Sequence, residues 1–367
     1  MRILYFVNGI GYKGGIGRIV VDKANYMADK LNHDVAICLY DNNLNSAYPV
    51  SPKVRLIPLG GGIKLNSSLF GKCWGVIKSA SLMKSVIHDW KPDVIVNEQT
   101  QMLTWMLPFV CRQIPKVMVI HFSRMGMEYN LEGKTKLFKR TYFHIAESIY
   151  SRYDRFVVLT NEDSANWKLN NKMVIPNFST FTTDTLSDLK SKRVICVARY
   201  HVQKRLDLLL KIWSLVYPSH KDWNLSVFGS GPDKAKLQKQ VHDMRLDSSV
   251  TLNESVDDVK AEYLKSSIFC LTSQHEGQAL VLLEAILIGL PICTFNVVGV
   301  NWIKAAALSC DFGDVATYAN NLMKLMDDAQ LRKKLRDKAL KEVAPKYEIN
   351  HIMSMWDDLF VGLTSCK

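Results

Sequence analysis

Short apolar runs alternate with longer amphipathic stretches along most of the chain. In the first half, the runs typical of buried β-strands lie at 3–8, 34–40, 53–59, 92–98, 115–123, 155–160 and 173–178. In the second half they return at 193–199, 225–232, 250–256 and 267–272. Strands that alternate with helices are typical of parallel sheets with helices on both faces. The pattern therefore predicts an α/β protein with two doubly wound sheets.

The distribution of charge separates the two halves. The net charge is +12, and up to residue 179 there are 23 Lys and Arg against 13 Asp and Glu, whereas the remainder has 24 against 22. A basic half points to nucleic acid or to an anionic membrane surface. Because no zinc finger, RNA-recognition motif or basic zipper accompanies the charge, we expect a membrane surface and no nucleic acid.

The spacing of the cysteines and the length of the apolar runs indicate the cellular compartment. The eight cysteines form no CxxC pair and several lie in apolar runs, which indicates a reducing environment. The apolar start of the chain is too short for a signal peptide, and the longest apolar run, 102–111, is about half of a membrane span. We expect a cytoplasmic protein, with peripheral contact to the inner face of the plasma membrane.

The segment 273–291, SQHEGQALVLLEAILIGLP, carries the most distinctive chemistry. It predicts a loop and a buried helix after the strand at 267–272, with Glu276 and Glu284 seven residues apart. The beginning of a helix favours anions, and a buried carboxylate needs a partner. Such carboxylates either pair with a structural Arg or Lys, or accept hydrogen bonds from ligand hydroxyls.

Two cations stand at the start of the second half. Arg199 ends the strand of RVICVAR, and Lys204 lies five residues further on, just before a predicted helix near Leu206. A guanidinium and an ammonium at such a place suit a diphosphate. An ordinary surface turn can also carry two basic residues.

The first strand is followed by a glycine-rich turn, GIGYKGGIGR. Gly9, Gly11 and Gly14 form a G-x-G-x-x-G pattern, which together with Asp41 is typical of dinucleotide binding. Asp41 is somewhat far along the chain for that role. A tight turn that needs positive φ explains the glycines equally well.

Two further features of the first half concern ligands. His121 lies at the end of the strand in VIHFS, where ligands of open α/β sheets bind, although a single histidine there can also be a core or capping residue. The segment GKTKLFKRTYF mixes basic and apolar side chains, as expected for contact with anionic lipid or an acceptor phosphate. Its basic residues are Lys134, Lys136, Lys139 and Arg140, and its apolar ones are Leu137, Phe138, Tyr142 and Phe143.

These motifs resemble the retaining glycosyltransferases of family 4, which have the GT-B fold of two Rossmann-like domains facing a central cleft. The resemblance rests on EGQALVLLEA, on the Arg199 and Lys204 pair and on VIHFS, and it covers nearly the whole chain. It implies an N-terminal acceptor-binding domain at 1–179 and a nucleotide-sugar-binding domain at 180–345. The helix at 346–367 would pack back on the first domain.

The resemblance also implies roles for individual residues. Glu276 would contact the donor sugar, Glu284 the nucleotide ribose, and His121 the transferred sugar. Arg199 and Lys204 would neutralise the leaving diphosphate, which makes His121, Glu276, Arg199 and Lys204 the candidate catalytic residues. The other implied donor contacts are Gly14, Gly15, Gly17, Gly277, Gln278, Ala279 and Leu280, with Ser255 and Val256 near the nucleobase.

Two departures from the family pattern affect these expectations. Gln278 stands where the family more often has an aromatic residue. After the next strand the chain keeps a single Gly299 in a shortened segment, at the place where the family's loop contacts the sugar and the pyrophosphate.

The sequence thus predicts a retaining hexosyltransferase that uses a UDP- or GDP-type sugar in bacterial surface polysaccharide biosynthesis, such as capsule, O-antigen or exopolysaccharide. The acceptor would be a saccharide or a lipid-linked saccharide. No cofactor and no metal are expected, because an Asp-x-Asp motif is absent. Two alternatives remain, an NAD(P)-dependent oxidoreductase that uses the Gly9, Gly11 and Gly14 turn, and a non-catalytic two-domain sugar-binding protein.

Overall fold

Two compact units make up the chain. The computed structural model describes residues 1–60, 69–98, 102–181, 185–256 and 258–365. The first unit contains Met1–Asn177 and Ile349–Lys367, and the second contains Phe178–Glu348. Each unit has a hydrophobic core of its own.

The first unit is built on a parallel sheet of seven strands, counted over the described residues, in the order β3-β2-β1-β4-β5-β6-β7. The strands are β1 Arg2–Val7, β2 Asp34–Leu39, β3 Val54–Pro58, β4 Val94–Asn97, β5 Lys116–Val119, β6 Arg155–Val158 and β7 Lys172–Val174. The helices are α1 Gly15–Asp29, α2 Leu69–Trp90, α3 Met102–Met106, α4 Arg124–Tyr129, α5 Lys136–Tyr150 and α6 Asn161–Asn166.

The second unit has a parallel sheet of six strands among the described residues, in the order β10-β9-β8-β11-β12-β13. The strands are β8 Arg193–Val197, β9 Asn224–Phe228, β10 Val250–Asn253, β11 Ile268–Leu271, β12 Ile292–Asn296 and β13 Ala307–Asp311. The helices are α7 Leu206–Val216, α8 Lys234–Asp243, α9 Val259–Leu264, α10 Leu280–Ile288, α11 Val315–Asp327 and α12 Ala329–Lys338.

The central strands are apolar along their whole length because both faces of each sheet are covered. In β1 and β11 nearly every residue is buried, as expected for parallel strands between helices. Apart from Glu284, α10 is apolar on all sides, and most of it is buried. Its end is marked by Gly289, which adopts the left-handed conformation with φ +82°. The predicted class, two doubly wound parallel sheets, is confirmed.

Both sheets reverse their strand order at one place. In the first sheet the chain builds outward from β1 in one direction and from β4 in the other, and in the second sheet it does so from β8 and β11. Ligands of open α/β sheets bind at the carboxyl ends of the strands that flank such a reversal. The loops after β1, β4, β8 and β11 are therefore the first places to look for a site.

Three details differ from the sequence prediction. β5 ends at Val119 and β8 at Val197, so His121 and Arg199 lie in loops rather than in the strands. Beyond β8 the backbone turns to the loop after β9, where the Tyr200 amide donates to the Ser230 carbonyl at 2.9 Å. β13 was not predicted, because it is a half-exposed edge strand with a mixed sequence, ALSCD.

The last helix, α13 Ile349–Ser365, packs within the first unit. His33 Nε2 lies 2.7 Å from Asp357 Oδ1, and the Tyr26 hydroxyl donates to Asn350 Oδ1 at 2.7 Å. The Trp356 ring is buried. These contacts tie α13 to α1 and to the loop before β2.

Candidate active site

The Lys204 ammonium joins the loops after β8 and β11. Lys204 ends a short 3₁₀ turn, Val202–Lys204, directly before α7, and Glu276 lies in the loop before α10. Lys204 Nζ lies 2.6 Å from Glu276 Oε1. Glu276 is only 7% exposed, and its side chain is more buried than that of Lys204. The structure therefore brings together two of the residues that the sequence assigned to the donor.

Hydrogen bonds between the same two loops hold the pair in position. The Gln203 side chain donates to the His275 carbonyl at 2.9 Å, and the Gln274 amide donates to the Gln203 carbonyl at 2.9 Å. The Thr272 hydroxyl donates to the Lys204 carbonyl at 3.0 Å. His275 is buried, and this burial lowers the pKa of its imidazole. The two loops thus form one connected structure at the strand reversal.

Gly299 supports the Glu276 loop from the other side. The Glu276 amide donates to the Val298 carbonyl at 3.1 Å. Gly299 has φ +83°, and a Cβ at this position would lie 2.3 Å from the Glu276 carbonyl oxygen. Only glycine fits both the backbone conformation and this close approach. The shortened segment after β12 therefore holds the loop of Glu276.

Glu284 is buried in α10 and is 4% exposed. The Tyr263 hydroxyl, from α9, donates to Glu284 Oε2 at 2.9 Å. Tyr263 is itself enclosed by the rings of Phe181 and Phe269. A tyrosine hydroxyl, which the sequence analysis did not consider, is thus one partner of this carboxylate.

Arg199 lies in the loop that follows β8, ahead of Lys204. Its side chain is exposed, and within the described part of the chain its guanidinium forms no ion pair or hydrogen bond. The backbone around it is fixed, since a Cβ at Gly229 would lie 1.9 Å from the Ala198 carbonyl oxygen. An exposed guanidinium on a fixed backbone is suited to bind an anion.

The remaining candidates of the second unit lie in two places, at the start of α10 and in the loop after β10. Ala279 is buried and precedes α10 without a side-chain cap, so the first amides of the helix have no cap from this residue. Ser255 is exposed and its hydroxyl lies 3.2 Å from the Ser230 hydroxyl, in the turn after β9. Val256 is exposed beside it. Gly277 and Leu280 are half-buried, and Gln278 is buried.

In the first unit the glycine-rich turn leads into α1. Gly14 precedes the helix with extended backbone, and its amide donates to the Tyr48 hydroxyl at 2.9 Å. Gly15 begins the helix and Gly17 is buried in its first turn. A Cβ at Gly9 would lie 1.9 Å from Asp41 Oδ2, so the Asp41 carboxylate packs directly on this glycine. Asp41 Oδ1 also accepts a hydrogen bond from the Asn43 amide at 3.0 Å.

His121 belongs to a buried charged cluster that the sequence analysis missed. His121 Nε2 lies 2.6 Å from Glu98 Oε2, and Lys23 Nζ forms a short contact with Glu98 Oε1. All three residues are buried, with Glu98 only 1% exposed. Glu98 follows β4, and Lys23 occupies the buried face of α1. Below we call Lys23, Glu98 and His121 the buried triad.

Electrostatics keeps the Glu98 carboxylate ionised. Burial by itself raises the pKa of Glu98, but the charge of Lys23 and the hydrogen bond with His121 more than offset this and lower the pKa to about 2. The Lys23 ammonium also lies 4.4 Å from the centre of the Trp356 ring in α13, a favourable cation–π contact.

The basic segment before and within α5 is largely exposed. Lys134, Lys136 and Arg140 are exposed and Lys139 is half-buried. Two apolar side chains beside them face solvent, since Leu137 is 73% and Phe138 is 48% exposed. The prediction that Phe143 belongs to this surface is wrong, because its ring is buried and stacks edge-on against Trp167. Tyr142 also turns inward and contacts Trp105.

Two family sequence patterns match the chain and together extend from residue 13 to residue 342. The family described as Glycosyltransferase Family 4 matches residues 13–178, and the one described as Glycosyl transferases group 1 matches residues 178–342. The chain belongs to the group 1, family-4 glycosyltransferases.

Relatives of similar length support the assignment. An uncharacterized glycosyltransferase of Haemophilus influenzae is 28% identical over 97% of this chain and 98% of its own length. The amylovoran biosynthesis glycosyltransferase AmsD of Erwinia amylovora is 24% identical, with 98% and 99% covered. The crystal structure of Anabaena HepE in complex with UDP has a TM-score of 0.75 at 15% identity, and the match covers 99% of this chain and 100% of that chain. The last of these likenesses confirms the predicted GT-B fold.

The glycosyltransferase is thus an enzyme of a retaining family. This decides against the oxidoreductase, which needed the Gly9, Gly11 and Gly14 turn as a dinucleotide site, and against the non-catalytic sugar binder. None of the helices in the described part combines the length and apolar character needed to cross a membrane. Across the described ranges, no group of three or more His, Cys, Asp or Glu side chains is placed to hold a metal ion.

Removing one charge of the buried triad should cost more stability than removing both. We expect Lys23→Met to lower the free energy of unfolding by about 3–5 kcal/mol, because Glu98 is then a buried charge without its cation. Adding Glu98→Met to Lys23→Met should raise the free energy of unfolding, although Glu98→Met alone lowers it. Urea denaturation of the four proteins measures these values.

The pH dependence provides the control for this prediction. A carboxyl whose pKa is lowered in the folded state stabilises it above the unfolded pKa, and this contribution is lost as the pH falls to the folded pKa. Between the ordinary value of 4.5 and about 2, the wild type should therefore lose stability more steeply than the double variant. Parallel curves, or a double variant less stable than Lys23→Met, would contradict the assignment.

Proposed function

We propose that the glycosyltransferase moves a hexose or an N-acetylhexosamine, with retention, from a nucleotide-diphosphate sugar to a saccharide or lipid-linked saccharide of a bacterial surface polysaccharide. The observation that carries this proposal is the Lys204–Glu276 pair at the strand reversal, directly before α10. The relative AmsD is named as a glycosyltransferase of amylovoran biosynthesis. This name supports a polysaccharide product for the present enzyme. The donor binds the second unit and the acceptor binds the first.

The second unit offers two cations to the leaving diphosphate. Arg199 has an exposed guanidinium, and Lys204 has three donor hydrogens, so that it can hold Glu276 and a phosphate oxygen together. Negative charge grows on the diphosphate as the glycosidic bond breaks, and fixed cations stabilise that charge. The amides at the start of α10 add the positive end of a helix dipole.

The two buried carboxylates of the second unit have separate roles in this proposal. Glu276, held through its backbone against Gly299, accepts hydrogen bonds from hydroxyls of the donor sugar. Glu284, oriented by the Tyr263 hydroxyl, accepts from the ribose. His121 of the first unit contacts the sugar that is transferred. Gly14, Gly15 and Gly17 approach the donor phosphate, and Ser255 and Val256 border the nucleobase.

Arg199→Ala should lower kcat by about a hundredfold, because it removes a cation from the leaving group. The matched control is Lys236→Ala, which removes an exposed cation from α8 and should leave kcat unchanged. The measurement is release of the nucleoside diphosphate, with UDP-sugars tested first, since HepE binds UDP. Excess EDTA should leave the rate unchanged, because the proposed cations are side chains.

Wild-type turnover by Arg199→Ala would refute the diphosphate assignment. Loss of activity in EDTA, restored by added Mg²⁺ or Mn²⁺, would show that a metal ion also stabilises the leaving diphosphate. The absence of turnover with every nucleotide sugar, for a protein that is folded, would refute the proposed function itself.

Glu284→Gln should weaken nucleotide binding by about 1–3 kcal/mol, because the amide loses the charge and one acceptor of the ribose hydrogen bonds. Tyr263→Phe is the companion variant, since it keeps the carboxylate but removes the hydroxyl that orients it. We expect a smaller loss of affinity for Tyr263→Phe, measured by calorimetry with UDP. If both variants lose stability but bind UDP like the wild type, Glu284 is a structural carboxylate.

We also propose that the basic segment of the first unit attaches the enzyme to an anionic membrane surface on the cytoplasmic side. Its exposed cations contribute about 1 kcal/mol each near such a surface, and the exposed Leu137 and Phe138 side chains can insert among the headgroups. This surface would bring the enzyme to an acceptor on a lipid carrier.

Flotation with vesicles tests this attachment. At low salt the protein should bind vesicles with anionic lipid and ignore neutral ones, and 1 M salt should release it, because the Debye length shrinks to about 3 Å. The test variant changes Lys134, Lys136, Lys139 and Arg140 to Gln. The control makes the same charge change in the second unit, at the exposed residues Lys333, Lys334, Lys341 and Lys346. Equal binding by the two variants would rule out a specific role for the segment.

A further inference from the structure

The buried triad connects five elements of the first unit. Lys23 comes from α1, Glu98 follows β4 and His121 follows β5. Lys23 also contacts the Trp356 ring of α13 at 4.4 Å and lies 5.7 Å from the centre of the Tyr5 ring of β1. The Lys23 ammonium therefore lies among the Glu98 carboxylate and two aromatic rings of the core.

The two oxygens of the Glu98 carboxylate have different partners. Oε1 accepts from the Lys23 ammonium, and Oε2 lies 2.6 Å from His121 Nε2. A carboxylate bound at both oxygens has little freedom to rotate. The imidazole that depends on Oε2 is consequently held in one orientation.

The chemistry of this contact fixes the position of one proton. An ionised carboxylate accepts hydrogen bonds and cannot donate them, and the Lys23 charge keeps Glu98 ionised. His121 Nε2 must therefore carry the hydrogen. In the neutral imidazole the acceptor is then Nδ1.

We propose that Glu98 is a positioning residue for His121 and that Lys23 is its buried counter-ion. Glu98 holds the imidazole in one orientation, with Nε2–H donated to the Glu98 carboxylate. The inference rests on the proposed function, in which His121 contacts the transferred sugar. Glu98 itself does not touch the substrate.

An ion pair of Lys23 and Glu98 that served only to stabilise the fold would not need His121. If Lys23 and Glu98 served stability alone, replacing both by apolar side chains of similar length would restore the fold and the activity together, because such replacements of buried pairs are often neutral. If Glu98 positions His121, the same replacement restores the fold and leaves the activity impaired. The Lys23→Met/Glu98→Met double variant separates the two cases.

The experiment compares the wild type, this double variant and His121→Asn, in the full-length chain. Thermal unfolding shows that each variant is folded at the assay temperature. If the double variant is not, Lys23→Met/Glu98→Leu takes its place. Turnover and UDP affinity are measured for each protein, together with ¹⁵N spectra of labelled histidine rings. The signal of His121 is identified by its absence in His121→Asn.

We expect the double variant to lose kcat by about tenfold to a hundredfold, since small displacements of a group that contacts the reacting sugar have effects of this size. UDP affinity should be unchanged, because the nucleotide binds the second unit. The spectrum of the wild type should show a proton on Nε2 of His121, and that of the double variant should show the proton redistributed between the two ring nitrogens.

The results distinguish a failure of the role proposed for His121 from a failure of the role proposed for Glu98. If His121→Asn retains the wild-type kcat, the role of His121 in the proposed function fails, whatever the spectra show. If His121→Asn loses activity but the folded double variant keeps either the wild-type kcat or the Nε2 proton, Glu98 is not a positioning residue. A wild-type spectrum without a proton on Nε2 would also overturn the inference.

Discussion

The reversal of strand order in each parallel sheet determines where chemistry can occur in this protein. Between β8 and β11, and between β1 and β4, the chain leaves in opposite directions, so that no crossover helix closes over the strand ends. The loops at these points carry Arg199, Lys204 and Glu276 in the second unit and the glycine turn and Glu98 in the first. The topology brings together side chains that are far apart in the sequence.

Burial gives the two lysine–glutamate pairs at these points different properties. The side chains of Lys204 and Glu276 are 18% and 9% exposed, whereas those of Lys23 and Glu98 are 3% and 0% exposed. A partly exposed ion pair loses little stabilisation when a ligand replaces the water around it. A fully buried pair cannot be opened without leaving an unpaired charge, at a cost of about 3–5 kcal/mol. In the proposed function, the first pair can therefore stay joined while Lys204 also binds a phosphate oxygen, whereas the second pair can only hold its neighbours in position.

The sequence predicted the sheets well because parallel strands buried on both faces are continuous apolar runs. It also singled out Lys204 and Glu276, each from its own motif near a strand end, but it did not predict that the two side chains pair. It missed β13, whose mixed sequence belongs to a sheet edge, and it placed the buried Phe143 on the surface because charged residues surround it in sequence. Lys23 is recognisable in the sequence as a lysine on the apolar face of α1, but its partner Glu98 is 75 residues away. Only the three-dimensional structure could join them.

The shortened segment after β12 links the loop of Glu276 to the end of the second unit. Gly299 lies close enough to the Glu276 backbone to exclude any Cβ, and the Trp302 side chain donates to the Gly299 carbonyl at 3.0 Å. Trp302 in turn packs on Tyr347, with 4.7 Å between the ring centres. Tyr347 stands just before Glu348, the last residue of the second unit. Since each contact restricts the next, the loop of Glu276 is held by the glycine, the indole and the end of the unit's own chain.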